Sequence, residues 1–236
     1  MIVSAVTGGG STPPMRRILR ENGLSLTLFV LFFVTFLAGQ TIAGHREYNA
    51  DQRDHKEPTV SYAEYLTTSH FGEATFENWE SEFLQMGAYI ALTALLVQKG
   101  SAESRDPDGG EEPSDEDPRE HVRPDSPWPV RHGGAALKVY EHSLTIAMFA
   151  LFAASFLLHA ATGSREYSSD QVAHGGSPVG MWTYLTTSRF WFESFQNWQS
   201  EFLAVAAIVV LSIFLRQRHS PESKPVAAPH ASTGTG

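Results

Sequence analysis

The sequence predicts an all-α membrane protein, with four transmembrane helices arranged as two parallel two-helix repeats. Three observations lead there. Strongly apolar runs alternate with very polar segments, which a mean hydropathy of −0.19 averages away. The stretch Phe76–Leu84 (FENWESEFL) returns as Phe195–Leu203 (FQNWQSEFL), 119 positions later. Holding that offset from Arg46 to Leu84, 20 of 39 positions are identical, so the chain carries an internal repeat.

Residues 1–15 are rich in Gly, Ser, Thr and Pro, a composition that predicts disorder. Met15, followed by Arg16, Arg17 and Arg20, reads as an alternative native start to Met1. Repeat 1 covers 16–99. Its first span, about 24–44, is free of charge and long enough to cross a ~30 Å hydrocarbon core at 1.5 Å per residue. A cleaved signal peptide is the competing reading, because Thr41-Ile42-Ala43 resembles a small-residue cleavage site. The run is too long for such a segment, and an equivalent one recurs internally from Ser143 to Thr162.

The polar segment His45–Thr75 is broken by Pro58 and a Thr/Ser cluster into short pieces, expected to include interfacial helices in the outer loop. The second span is expected over about 76–97. Phe83–Val97 alone is too short, so the helix must begin upstream and carry Asn78, Ser81 and Glu82 into the outer part of the membrane. Residues 100–134 combine repeated Pro with dense acidic residues and read as a disordered linker. Repeat 2 covers 135–216, with spans about 143–162 and 195–215, and the polar tail 217–236 is again expected to be disordered.

Charge and composition exclude several classes. The chain carries a net −9, and from Lys99 to Lys138 ten Asp/Glu oppose six Lys/Arg, so the linker holds −4 of it. A nucleic-acid partner would need a basic face. Cysteine is absent, which removes disulfides, thiolate nucleophiles and Cys-based metal centres. No phosphate-binding glycine loop, HExxH, GxSxG or dinucleotide fingerprint is present. No cofactor is expected, and the enzyme question stays open, leaning to no.

Basic residues set the orientation. Arg16, Arg17, Arg20, Lys99, Arg105, Arg131, Lys138, Arg216, Arg218 and Lys224 flank the termini and the linker, against five in the inter-span loops. Both termini should face the cytoplasm across the cell membrane, with the motif loops outside and the pseudo-symmetry axis along the membrane normal.

Three sets of residues carry candidate chemistry. Asn78 and Glu82, with Asn197 and Glu201, lie four apart on a helix and form a candidate intramembrane polar pair at the repeat interface. The bland alternative leaves those carboxylates just outside the hydrocarbon, with Trp79 and Trp198 as aromatic anchors at the interface. Glu47, Asp51 and His55, repeated as Glu166, Asp170 and His174, would form one stripe if the first helix of each repeat continues outward. Such a stripe suits a divalent metal, against the reading of a solvated helix end. Tyr65–Ser69 and Tyr184–Ser188 read as a short helix followed by hydroxyl caps. His142 and His159 have no counterpart in repeat 1 and are poor haem ligands, and the small-residue pairs Gly87/Ala91 and Ala150/Ala154 read as helix packing.

Arg46-Glu-Tyr with Asp51-Gln, then Tyr65-Leu, Phe76-Glu-Asn-Trp-Glu-Ser-Glu-Phe-Leu-Gln-Met86 and Gly100-Ser-Ala-Glu-Ser104, resemble a bacterial membrane-protein family of unknown function over roughly 16–104 and 135–216. The resemblance implies an uncharacterised integral membrane protein and nothing about activity. Gln199 replaces Glu80 and Ala204 replaces Gln85, so any site is asymmetric. The leading expectation is a structural or interaction role in the cell envelope, with the lipid bilayer, a second copy of the chain or another envelope protein as partner. The alternatives are a transporter or channel component using Glu82 and Glu201, and a metal-dependent membrane enzyme.

Overall fold

The computed structural model describes residues 14–106 and 116–234. The stretches 1–13, 107–115 and 235–236, all within segments expected to be disordered, lie outside the described residues. Two compact units follow each other, divided between Phe71 and Gly72.

The first unit is led by one long helix. α1 (Pro14–Val34) passes through a wider π-helical segment, Thr35–Ala43, into α2 (Gly44–Asp54). The hydroxyls of Thr35 and Thr41 donate to the carbonyls of Leu31 and Leu37, a local competition for the backbone that accompanies the change of winding. The helix runs ten residues past the apolar stretch because nothing stops it before Lys56, which takes φ +62°, and Pro58. The chain then folds back. Buried Asn49 accepts from the Val60 N–H (2.8 Å) and donates to its carbonyl (2.9 Å). Ser61 and Glu64 form a reciprocal capping box at the start of α3 (Tyr62–Tyr65). Thr68 then accepts from the Phe71 N–H (3.2 Å) and opens α4 (Ser69–Leu95).

The second unit holds the rest of α4, the short α5 (Trp128–His132) and α6 (Gly134–Glu141), and the long α7 (Ser143–Ala173). It continues with α8 (Met181–Tyr184) and α9 (Ser188–Phe214). The bounds of α8 and α9 are those of α3 and α4 displaced by 119 positions. Thr187 caps α9 as Thr68 caps α4, accepting from the Phe190 N–H at 3.3 Å. The core gathers where α7, α8 and α9 meet: Ala160, Tyr184 and Phe190 are fully buried, with Phe156, Tyr167 and Met181 packed around them. α4 approaches α7 through glycine. A Cβ on Gly72 would stand 2.6 Å from Thr162 Cγ2, so only a bare backbone fits there.

Among the described residues three helices are long and apolar enough to cross a membrane: Ile18–Asp54, Ser143–Ala173 and Ser188–Phe214. Their apolar side chains point outward, Leu24 at 76% and Leu203 at 67% exposure, as lipid-facing surfaces do. α4 matches α9 in length, 27 residues each, but carries Glu73, Glu77, Glu80 and Glu82.

Composition misjudges the segments after α4 and α9. Gln98 and Gln217 each donate a backbone N–H to a serine hydroxyl six residues on, Ser104 and Ser223, both at 2.8 Å. Gly100 (φ +88°) and His219 (φ +71°) make the same left-handed turn. Lys224, 1% exposed, donates to the carbonyls of Gly100, His230 and Ser232 at 2.5–3.0 Å. Ser101 and Ser212 hydroxyls meet at 2.9 Å. These described stretches are therefore hydrogen-bonded turns rather than free chain: hydroxyl side chains and one ammonium satisfy backbone that no apolar core would cover.

Thr187→Ala removes the cap of α9 and is expected to lower stability by about 1 kcal/mol, read as a drop in the thermal unfolding midpoint of detergent-purified protein. Thr187→Ser, which keeps the hydroxyl, should restore most of it.

Candidate functional site

Where α4, α7 and α9 face one another, the unit buries charge. α4 turns Gly72, Glu73, Thr75, Glu80 and Ser81 inward, and α7 brings His159 and α9 brings Glu193 against them. Glu80 and His159 are both fully buried, and His159 Nδ1 stands 2.7 Å from Glu80 Oε2. The other oxygen of Glu80 accepts from the Trp198 indole N–H at 3.0 Å. Glu80 is thereby satisfied at both oxygens, the condition for a buried carboxylate to persist.

The second half of the site surrounds Glu193. Its Oε1 accepts from Arg189 Nε and its Oε2 from the Tyr184 hydroxyl, both at 2.6 Å. The same hydroxyl lies 3.3 Å from Glu73 Oε1, and burial first, then the Glu193 hydrogen bond, pushes the Tyr184 phenol above its ordinary pKa. Asn197 donates to Glu77 Oε1 at 2.5 Å. His159 Nε2 is 3.8 Å from Glu193 Oε2, too far for a hydrogen bond, and has no partner. The Phe190 ring covers the imidazole, centroids 4.9 Å apart.

Local sequence explains the placement. A Cβ on Gly163 would stand 2.7 Å from the Tyr184 hydroxyl and 2.9 Å from Glu73 Oε1. This α7 glycine is what lets both groups reach the helix backbone. On α4, Glu73, Glu77 and Glu80 repeat at spacing four and three, one face of a helix. Four carboxylates (Glu73, Glu77, Glu80, Glu193) thus oppose one guanidinium (Arg189) and one imidazole (His159).

The residues singled out from sequence fall mostly elsewhere. Asn78 and Glu82 are exposed on the other face of α4, and Asn78 donates to its own helix at Ala74 (2.7 Å). Asn197 does enter the site, while Glu201 is half-buried and its backbone carbonyl accepts from Gln85 (2.9 Å). Trp198 turns its N–H inward to Glu80, and Trp79 is half-buried, stacked edge-on with Phe76. The two metal stripes do not close: His55 meets only Asp51 (3.3 Å), with both side chains largely exposed, and Glu47 points to solvent. His174 turns back to the Asp170 carbonyl (2.8 Å), and Glu166 is half-buried on α7. Asp170 reaches the rim, 3.9 Å from Arg189.

Sequence reading passed over Glu73 and Glu193, noted Glu80 only as a source of asymmetry, set His159 aside as a haem ligand and read Tyr184 as part of a capped short helix. One signal points to most of them: at the 119-residue offset Glu80 becomes Gln199, Glu73 becomes Phe192, His159 answers to Gln40 and Glu193 to Ala74. The buried carboxylates and the imidazole of the site all break the repeat.

The family model described as a domain of unknown function (DUF6766) matches residues 15–235. The chain belongs to this family. The match covers nearly the whole chain, from the start of α1 to the turns that follow α9. No curated protein and no solved structure matches the chain.

Glu80→Ala strands His159 in the core and is expected to cost ~3–5 kcal/mol. Glu80→Leu with His159→Leu, which removes both partners, should cost clearly less than the sum of the single changes. Chemical unfolding of the wild type, Glu80→Leu, His159→Leu and the double variant in detergent measures the coupling.

Proposed function

We propose that the chain is a four-span integral membrane protein that binds and passes a cation through the carboxylate–histidine site between α4, α7 and α9. Both termini face the cytoplasm and the loops bearing α3 and α8 face outward. One observation carries the reading: the excess of buried carboxylates over cations beside the fully buried Glu80–His159 pair. Charge inside a span is expensive and is kept where an ion or proton pathway needs it. A purely structural bundle gains nothing from that excess, since apolar residues of the same volume pack at least as stably. The transporter-type alternative therefore moves ahead of the envelope-scaffold expectation, with Glu73, Glu80, His159 and Glu193 in place of Glu82 and Glu201. α4 serves as the fourth span, its glutamates turned from lipid toward α7 and α9.

Two experiments test this. In liposomes, ion-gradient-driven cation or proton uptake by the wild-type chain should exceed that of protein-free vesicles. Glu80→Gln and His159→Gln should lower it at least tenfold, and Glu82→Gln on the exposed face should leave it unchanged. Uptake equal to that of empty vesicles overturns the function. For topology, the cysteine-free chain accepts single reporters: Ser177→Cys should react with an impermeant maleimide in intact cells, Glu120→Cys only after lysis.

A further inference from the structure

Resting on that cation-handling reading, we propose that Glu73, His159 and Glu193 form a binding site for a first-row divalent transition metal, in the manganese-to-zinc series. One donor atom from each of the three lies within 4.8 Å of the others. Acidic clusters are common without a metal, so the imidazole decides the matter. His159 is fully buried, its Nε2 has no hydrogen-bond partner, and it aims at Glu193 Oε2 across 3.8 Å. A buried ring nitrogen left bare has lost its water and gained nothing in return, unless something occupies the gap.

The opposite nitrogen is prepared for the same purpose. With Glu80 Oε2 2.7 Å from Nδ1, Nε2 is the ring nitrogen left to a metal once its proton is displaced, and it faces Glu193. A carboxylate behind a ligating histidine orients the ring and raises its basicity. Glu80 is in turn fixed by the Trp198 N–H. On the other side Arg189 holds Glu193 Oε1 and the Tyr184 hydroxyl donates to Oε2, the oxygen that faces His159.

Size and charge agree. Donors at ~2.0–2.2 Å from a tetrahedral metal stand ~3.3–3.5 Å apart, so the His159–Glu193 gap closes by a few tenths of an ångström on binding. Two carboxylates and a neutral imidazole balance a divalent ion. The imidazole and the small number of oxygens disfavour calcium and magnesium, which take more oxygen donors or keep their waters. Three protein donors leave a coordination position open, as in sites that exchange their ligand rather than in closed structural ones. Access runs over Glu193, which also lines a surface depression of about 570 Å³ with Ser188, Arg189, Phe192 and Gln196.

The test is cobalt titration of the full chain in detergent, read by visible absorption and by the unfolding midpoint. One Co²⁺ per chain is expected, with tetrahedral-type bands that Zn²⁺ abolishes and a raised midpoint. Affinity should fall at least tenfold in Glu73→Gln and His159→Gln and stay unchanged in Glu82→Gln. If His159→Gln fails to fold, the near-isosteric Glu73→Gln decides. A folded wild-type protein that binds no Co²⁺, or binds it as tightly in Glu73→Gln, overturns the site. Cation uptake in liposomes without metal binding would overturn this inference alone, while Co²⁺ binding without uptake would support it and overturn only the transport role.

Discussion

The contact between Glu80 and His159 constrains everything around it. Two titratable groups with no solvent exposure, 2.7 Å apart, must each find every remaining hydrogen bond inside the protein. The Trp198 indole on α9 supplies one to Glu80, His159 Nε2 goes without, and the Tyr184 hydroxyl of α8 and the Arg189 guanidinium of α9 serve the neighbouring Glu193. Placing those donors requires the chain to run from α7 through α8 into α9 with little slack, and the bare backbone at Gly163 to admit both Tyr184 and Glu73. The helix crossings follow from a polar demand as much as from apolar packing: only Ala160, Tyr184 and Phe190 form the buried apolar core beside it.

The internal repeat gives this arrangement its asymmetry. Both copies rest a buried tyrosine hydroxyl, Tyr65 or Tyr184, on a helical glycine, Gly44 or Gly163. Both open the following helix with a threonine cap and close it with the same glutamine–serine turn. These scaffold residues are shared, whereas the buried Glu73, Glu80, His159 and Glu193 are not. A symmetric pair of copies would need every carboxylate twice; here Gln199, Phe192, Gln40 and Ala74 stand where the second set would be. One set of carboxylates and one histidine make a single site from two similar halves.

This division also explains how much was legible in the sequence. Apolar runs of about 20 residues announce long helices without ambiguity, and the 119-residue offset fixes corresponding elements to the residue: α3 with α8, α4 with α9. Helical phase was the weak point. Reading Glu82 as the inward carboxylate followed its presence in both copies, whereas burial selects Glu80, two positions and about 200° away around the helix. Shared residues report scaffold, so a search for site residues among them finds caps and turns. His159 was set aside for lacking a counterpart, and that lack is the property it has in common with Glu73, Glu80 and Glu193. The hydrogen-bonded turns around Ser104 and Lys224 were hidden by composition, because proline and glycine counts do not register which hydroxyl meets which backbone amide.

The site's position along the helices bears on what it can do. Glu73 and Glu193 fall within the first two turns of α4 and α9, where backbone N–H groups favour negative charge. Glu80 lies seven residues further along α4, about 10 Å deeper at 1.5 Å per residue. His159 sits near the end of the apolar part of α7, just before Thr162 and Gly163. Titratable groups therefore descend from Asp170 and Arg189 at the rim, through Glu193 and Glu73, to His159 and Glu80 within the helices. Asp170, Arg189, Glu193, His159 and Glu80 follow one another at 3.9 Å or less, and Glu73 joins Glu193 through the Tyr184 hydroxyl. A static ion pair would need only its deepest two members. The remaining groups extend the charged series from the exposed Asp170 to the buried Glu80, which an isolated ion pair would not require.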